Sequence, residues 1–201
     1  MVRTLLLDVD GVLLFPDPAF AAEMERRHHW HLGYQAFQDD LLHDPGEERA
    51  LVGDGDMLAV VARALARHTT GVTAEPFFTE WLEAAVTVNT ELLDLLPHMA
   101  VDEVYLATNQ EPRRAEMIRR RFADRPEIAG LLVSHEFGHM KPDPLFFAKA
   151  LARIGRTAAE CVFVDDKPAY VAGGRAAGID TIWYTGNARL TAELADRGLL
   201  R

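Results

Sequence analysis

The chain has 201 residues, enough for one core domain or a core with a modest insert, and too few for a multidomain array. With 49% apolar and 26% charged residues it has the composition of a folded globular protein, which excludes an intrinsically disordered chain. Its 21 Lys and Arg against 31 Asp and Glu leave a net charge of −10, a field that repels nucleic acid and anionic lipid, so neither is expected as a partner.

In chain order, Arg3 to Val9 reads as a buried strand: a short apolar run ended by the turn chemistry of Asp10-Gly11. The acids Asp8 and Asp10 interrupt this run well short of a signal segment or a membrane span. The single cysteine, Cys161, permits no internal disulfide, and a cytoplasmic protein is the expectation. From Pro16 to Leu96 the chain has no convincing strand and several helical patterns, among them Met57/Leu58/Val61/Leu65 and Phe78/Trp81/Leu82/Ala85/Leu92/Leu96. Prolines stand at both edges, Pro16 and Pro18 before and Pro97 after, as hinges often require. This stretch is expected to be a helical insert.

After it, segments rich in β-formers alternate with helical ones. Val101–Ala107 is a second strand, closing on Thr108 and Asn109, and a helix follows with Pro112 in its first turn. Leu131–Ser134 is a brief third strand, and Asp143-Pro144 is a helix start of cap plus first-turn proline. Cys161–Val164 and Asp180–Tyr184 are further strands, with helices expected over Pro168–Ala177 and Ala188–Asp196. Alternation of this kind predicts an α/β fold with a parallel sheet covered on both faces. The expected division is a core of residues 1–15 and 97–201 with the insert at 16–96.

Ligands of such sheets bind beyond the carboxyl ends of the strands. This chain places Asp8 and Asp10 after strand one, Thr108 and Asn109 after strand two, Lys141 a few residues past strand three, and Asp165 and Asp166 after strand four. Carboxylates crowded together repel one another unless a cation holds them, and Mg²⁺ with its preference for oxygen ligands is the natural choice. The set reads as a site for metal-assisted phosphoryl transfer.

Asp8-Val9-Asp10-Gly11-Val12, Thr108-Asn109, Lys141-Pro142 and Asp165-Asp166 resemble, in order, the four motifs of the haloacid dehalogenase-like (HAD) hydrolase superfamily. The resemblance covers the whole chain, and the insert resembles that family's mobile cap between the first and second motifs. It implies a Rossmann-like core carrying an α-helical cap domain, and a phosphatase acting on a small phosphorylated metabolite. It further implies Asp8 as the nucleophile that forms an aspartyl-phosphate. Asp10 would be the general acid and then the base, a role worth roughly 10²–10⁴ in rate. Thr108, assisted by Asn109, would bind phosphoryl oxygens, and Lys141 would offset the charge between Asp8 and the phosphate. Mg²⁺ would be bound by the Asp8 carboxylate, the Asp10 backbone carbonyl and Asp166, with Asp165 acting through a water.

Departures from the family pattern narrow this. The dehalogenase branch of the family lacks the second acid of the first motif, so Asp10 argues for phosphate chemistry. Phosphonate-cleaving relatives use a cap lysine, whereas the three lysines here, Lys141, Lys149 and Lys167, all lie outside residues 16–96. A phosphomutase, a phosphorylation-regulated receiver and a non-catalytic relative are the competing readings, and the oligomeric state is open.

Several patterns invite other readings. His135-Glu136-Phe137-Gly138-His139 matches the zinc-protease pattern, but Gly138 inside the helix and Pro142 close behind argue for a loop. The run His28-His29-Trp30-His31 suits packing or solvation better than a metal, and Arg26, Arg27, Arg63 and Arg67 suit solvated helix faces. Gly173, Gly174 and Gly178 point to close helix–sheet packing, and Cys161 to a buried strand residue.

Overall fold

The computed structural model describes residues 3–200. The chain enters through β1 (Thr4–Leu7), turns, and forms β2 (Leu14–Pro16). Five helices follow: α1 (Pro18–Arg27), α2 (Tyr34–Leu42), α3 (Pro45–Leu51), α4 (Met57–His68) and α5 (Ala74–Ala84). The chain returns through β3 (Val86–Val88) and α6 (Thr90–Leu95) to β4 (Glu103–Thr108), α7 (Pro112–Arg121), β5 (Ile128–Val133) and the single turn α8 (Ser134–Phe137). It closes with α9 (Pro144–Ile154), β6 (Cys161–Asp165), α10 (Pro168–Ala176), β7 (Asp180–Trp183) and α11 (Asn187–Asp196).

The five core strands form one sheet in the order β5-β4-β1-β6-β7, and every pairing is parallel. Side chains alternate across a strand, and β1 shows the consequence. Leu5 and Leu7 join one apolar cluster with Met117, Ile118, Leu190 and Leu194, while Leu6 joins a second with Phe146, Phe147 and Phe163. Both faces of the sheet are therefore covered, as the near-continuous apolar runs of the strands require. Close approach of α10 explains two of its glycines: a Cβ on Gly174 would lie 2.8 Å from the Phe163 ring, and one on Gly173 2.7 Å from the Pro142 carbonyl oxygen.

The helices between β2 and β3 hold an apolar cluster of their own. Trp30, Tyr34, Phe37 and Phe77 meet there with ring centroids 5.3–6.3 Å apart, an aromatic centre joined by Met24, Val61 and Leu65. Trp30 donates from its indole to the Met24 carbonyl at 2.7 Å, so its run of histidines flanks a packing residue. Arg26, Arg27, Arg63 and Arg67 pair with Glu23, Glu80, Asp44 and Asp40 of the same helical segment.

One expectation needs correction: residues 16–96, expected to lack strands, open on the last residue of β2 and contain β3, and the two pair antiparallel, Leu14 opposite Val88 and Pro16 opposite Val86. Leu92, Leu93 and Leu96 of the same stretch pack into the cluster on one face of the sheet, and the separate helical cluster runs to Ala85. Among the described residues no helix is long and apolar enough to cross a membrane.

Candidate active site

β1 stops at Leu7, and the Asp8 amide still donates to the Val164 carbonyl at 2.9 Å, which fixes Asp8 at the carboxyl end of the sheet's middle strand. The chain then coils tightly: Leu13 and Leu14 donate to the Val9 carbonyl, and Gly11 donates to Leu14. Gly11 is required twice. Its φ of +84° is a left-handed value, and a Cβ there would lie 2.3 Å from Asp166 Oδ2. On either side of β1, Thr108 ends β4 and Asp165 ends β6, so neighbouring strand ends deliver the hydroxyl and the acids to one edge.

Lys141 is the hub. Its side chain has no solvent exposure, and its Nζ donates to Asp8 Oδ1 at 2.7 Å, Asp165 Oδ2 at 2.6 Å and the Ala107 carbonyl at 2.8 Å. Phe163 and Tyr170 present ring faces 5.3 and 5.1 Å from the same nitrogen. Burial alone would lower the lysine's pKa, but Asp8 and Asp165 outweigh it and hold the ammonium above its ordinary value. For Asp8 burial dominates: it pushes the carboxyl up to about 7, against the pull of Lys141 and with a further push from Asp165.

Among the described residues, Asp8, Asp165 and Asp166 form one group in which one carboxylate oxygen from each lies within 4.8 Å of the others. Their situations differ. Asp165 is buried and committed, Oδ2 to Lys141 and Oδ1 to the Lys167 backbone N–H at 2.8 Å. Asp166 has a buried Oδ1 with no hydrogen-bond partner, and burial together with Asp165 raises its pKa. An orphaned buried oxygen beside two further carboxylates is the donor set a hard divalent cation takes.

The structure brings Asp8, Thr108, Lys141, Asp165 and Asp166 to one sheet edge, and gives Asn109 and Asp10 partners of their own. Asn109, expected to assist Thr108 in binding, spends its side-chain amide on the backbone of Lys141: Nδ2 donates to the Lys141 carbonyl and Oδ1 accepts from the Lys141 N–H, both at 2.9 Å. It clamps the lysine loop. Asp10 keeps its carboxylate outside the three-acid group; Oδ1 accepts from Arg114 at 2.6 Å and Oδ2 accepts from Gln110. Gln110 and Arg114 escaped the sequence reading because a glutamine and one arginine of a basic helix carry no motif. Their only signal is proximity to Thr108-Asn109. The residue that caps α7 lies two beyond Asn109: it is Glu111, accepting from the N–H groups of Arg113 and Arg114.

The H-E-x-x-H decoy resolves as a helical turn rather than a plain loop. Gly138, at φ +68°, ends α8, and its two histidines part: His135 Nδ1 donates to the Gln110 carbonyl, while His139 Nδ1 meets Asp143 Oδ2 at 2.8 Å. Cys161 is buried in β6, where burial pushes its thiol up to about 11, the opposite of an activated nucleophile.

A doubly covered parallel sheet with acids and a buried lysine beyond its central strands defines an α/β protein with a charged site at the carboxyl edge of its sheet. A family model described as haloacid dehalogenase-like hydrolase matches residues 2–178, and the chain belongs to that family of hydrolases. Solved structures share the fold. A HAD family enzyme from Bacteroides thetaiotaomicron, in complex with magnesium and inorganic phosphate, superposes with a TM-score of 0.73 at 20% identity, covering 93% of this chain and 96% of that one. A predicted HAD-like family hydrolase from Porphyromonas gingivalis gives 0.71 at 18% identity over 96% and 98% of the two chains. L-2-haloacid dehalogenase from Xanthobacter autotrophicus gives 0.70 at 19% identity over 98% and 83%. A comparison with curated protein sequences found no match.

Proposed function

We propose that this hydrolase is a Mg²⁺-dependent phosphatase of small phosphorylated metabolites. One observation carries the reading: a buried lysine bridges Asp8 and Asp165 while Asp166 beside them keeps an unpartnered buried oxygen. Asp8, the Asp10 backbone carbonyl and Asp166 would hold the ion, which when bound neutralises charge on the acids and on a phosphoryl oxygen. Asp165, with both oxygens committed within the protein, supports the site through Lys141 rather than through a water on the ion.

The protein's own residues then divide the work. An Asp8 oxygen bonds to phosphorus as the bond to the leaving oxygen breaks, and Asp10 supplies that oxygen's proton. Water next bonds to phosphorus, giving its proton to Asp10, and the Asp8–phosphorus bond breaks to release inorganic phosphate. Splitting the displacement lowers each barrier. Lys141 keeps Asp8 oriented and offsets its charge as the phosphate approaches, and the Thr108 hydroxyl is set to bond a phosphoryl oxygen. The acid at position 10, engaged by two donors, favours this chemistry over dehalogenation.

The test is phosphate release from p-nitrophenyl phosphate and a panel of phosphorylated metabolites, with Mg²⁺ and with EDTA, for the wild type and Asp8→Asn. The wild type should turn over only with Mg²⁺, and the variant should lose on the order of 10³-fold or more in kcat. Full activity of Asp8→Asn would sink the nucleophile assignment.

A further inference from the structure

Asp10 is held by two donors although its side chain remains 44% exposed. Its Oδ1 accepts from Arg114 Nη2 at 2.6 Å, and its Oδ2 accepts from the Gln110 side-chain amide. Each donor is itself fixed. Arg114 lies in the first turn of α7, where Glu111 accepts from its backbone N–H and Pro112 sets the helix start. Gln110 is buried, and its backbone is anchored without help from its side chain: the N–H donates to Ser134 Oγ at 2.9 Å and the carbonyl accepts from His135 Nδ1 at 3.0 Å. The same Gln110 amide also reaches Thr108 Oγ1 at 3.4 Å, so one side chain spans the acid and the hydroxyl.

A carboxylate oxygen has two acceptor positions, and one donor on each leaves one of each pair open. Two donors, one of them cationic, therefore hold Asp10 as a proton acceptor in a fixed orientation while leaving it room to take a proton. We propose that Gln110 and Arg114 are positioning residues that hold Asp10 for the hydrolytic half of the reaction. This rests on the acid–base role assigned to Asp10 above. In that half-reaction the water oxygen bonds to phosphorus, the Asp8–phosphorus bond breaks, and the water's proton moves to the open position on Asp10. Inorganic phosphate and the Asp8 carboxylate result.

Ser134 adds a link to the helical segment, because its Oγ donates to the Leu51 carbonyl at the end of α3 while accepting from Gln110. The Gln110 anchor of the clamp is thus tied to the helical segment as well as to the core.

The experiment uses p-nitrophenyl phosphate, whose leaving group departs without a proton, so that phosphoryl transfer to Asp8 does not need Asp10. Gln110→Leu, Arg114→Met and Arg114→Lys are compared with the wild type at saturating Mg²⁺. The expected result for Gln110→Leu and Arg114→Met is a fall in kcat of about 10- to 100-fold, a fraction of the full general-base factor. KM should fall in parallel, leaving kcat/KM within about threefold. A burst of one p-nitrophenolate per enzyme should precede the slow steady state, and Arg114→Lys should recover part of kcat. A kcat that does not change, or an equal fall in kcat and kcat/KM without a burst, overturns the clamp. If Arg114→Met fails to fold, Gln110→Leu still decides, since its backbone anchors remain. A wild type inert with Mg²⁺, or an active Asp8→Asn, overturns the phosphatase reading and the clamp with it; wild-type turnover, an inactive Asp8→Asn and unaltered clamp variants overturn the clamp alone.

Discussion

Lys141 shows how much one side chain can organise. Its ammonium neutralises two buried acids that would otherwise face each other, and among the described residues no other basic side chain forms an ion pair with either carboxylate. Replacing it leaves Asp8 and Asp165 buried and uncompensated, a change that typically costs about 3–5 kcal/mol. Lys141→Met is therefore expected to lose roughly that much stability in urea denaturation, and phosphate release with it; a midpoint shift worth under about 1 kcal/mol would contradict the arrangement. Lys141, eight residues past Val133, was read from its Lys-Pro motif, whereas Asp8 and Asp165 were legible in the sequence because each stands at the end of an apolar run, where a charge needs a reason. Asn109 was visible for the same reason, but its partner was not, because only the folded loop brings the Lys141 backbone to its amide.

At the scale of elements, α7 faces two ways. Arg114 reaches the site, while Arg113 forks onto Glu75 with two bonds of 2.9 Å and lies 4.7 Å over the Phe78 ring. Further along, Arg120 pairs with Glu83 and Arg121 donates to the Glu83 carbonyl. These pairs are largely exposed, and such contacts contribute about 0–1 kcal/mol each. Arg113→Ala with Arg120→Ala should therefore shift the global urea midpoint little, yet loosen α5 from α7. Limited thermolysin digestion is expected to nick the segment between β2 and β3 several-fold faster, and an unchanged nicking rate would show that these arginines do not hold it. Most elements could be read from periodicity and caps; Asp143 and Pro144 begin α9 as their chemistry requires. What escaped was short. β2 and β3 have three residues each, β2 contains a proline, and a run of three gives no alternation to count. The leucines of α6 continue the helical rhythm of α5, and only packing separates the two helices into different clusters.

For the molecule as a whole, the acid at its centre makes stability depend on pH. Without a bound cation, Asp8 in the folded state takes its proton at about 7, against an ordinary value of 3.8. Between those values the folded state binds more protons than the unfolded one, so stability falls as pH rises through the window, by at most about 1.4 kcal/mol per pH unit. Lys141, raised above its ordinary 10.5, is charged in both states there and adds no slope. Denaturation in EDTA is expected to show this decline from pH 5 to 7, and Mg²⁺ to oppose it increasingly toward pH 8, because the ion takes the deprotonated acid. A flat EDTA profile would contradict the buried acid's shift. The ribbon of β2 and β3 bears on a different question, the history open to such a chain. It brings the two ends of the helical segment side by side, and the entropy of closing a loop grows only with the logarithm of its length. Whatever leaves through β2 and returns through β3 can lengthen, shorten or be exchanged wholesale while β1, β4 and β6 keep their register. The ribbon is a socket: the helical segment is plugged in through two adjacent ends, apart from the strands that carry the acids.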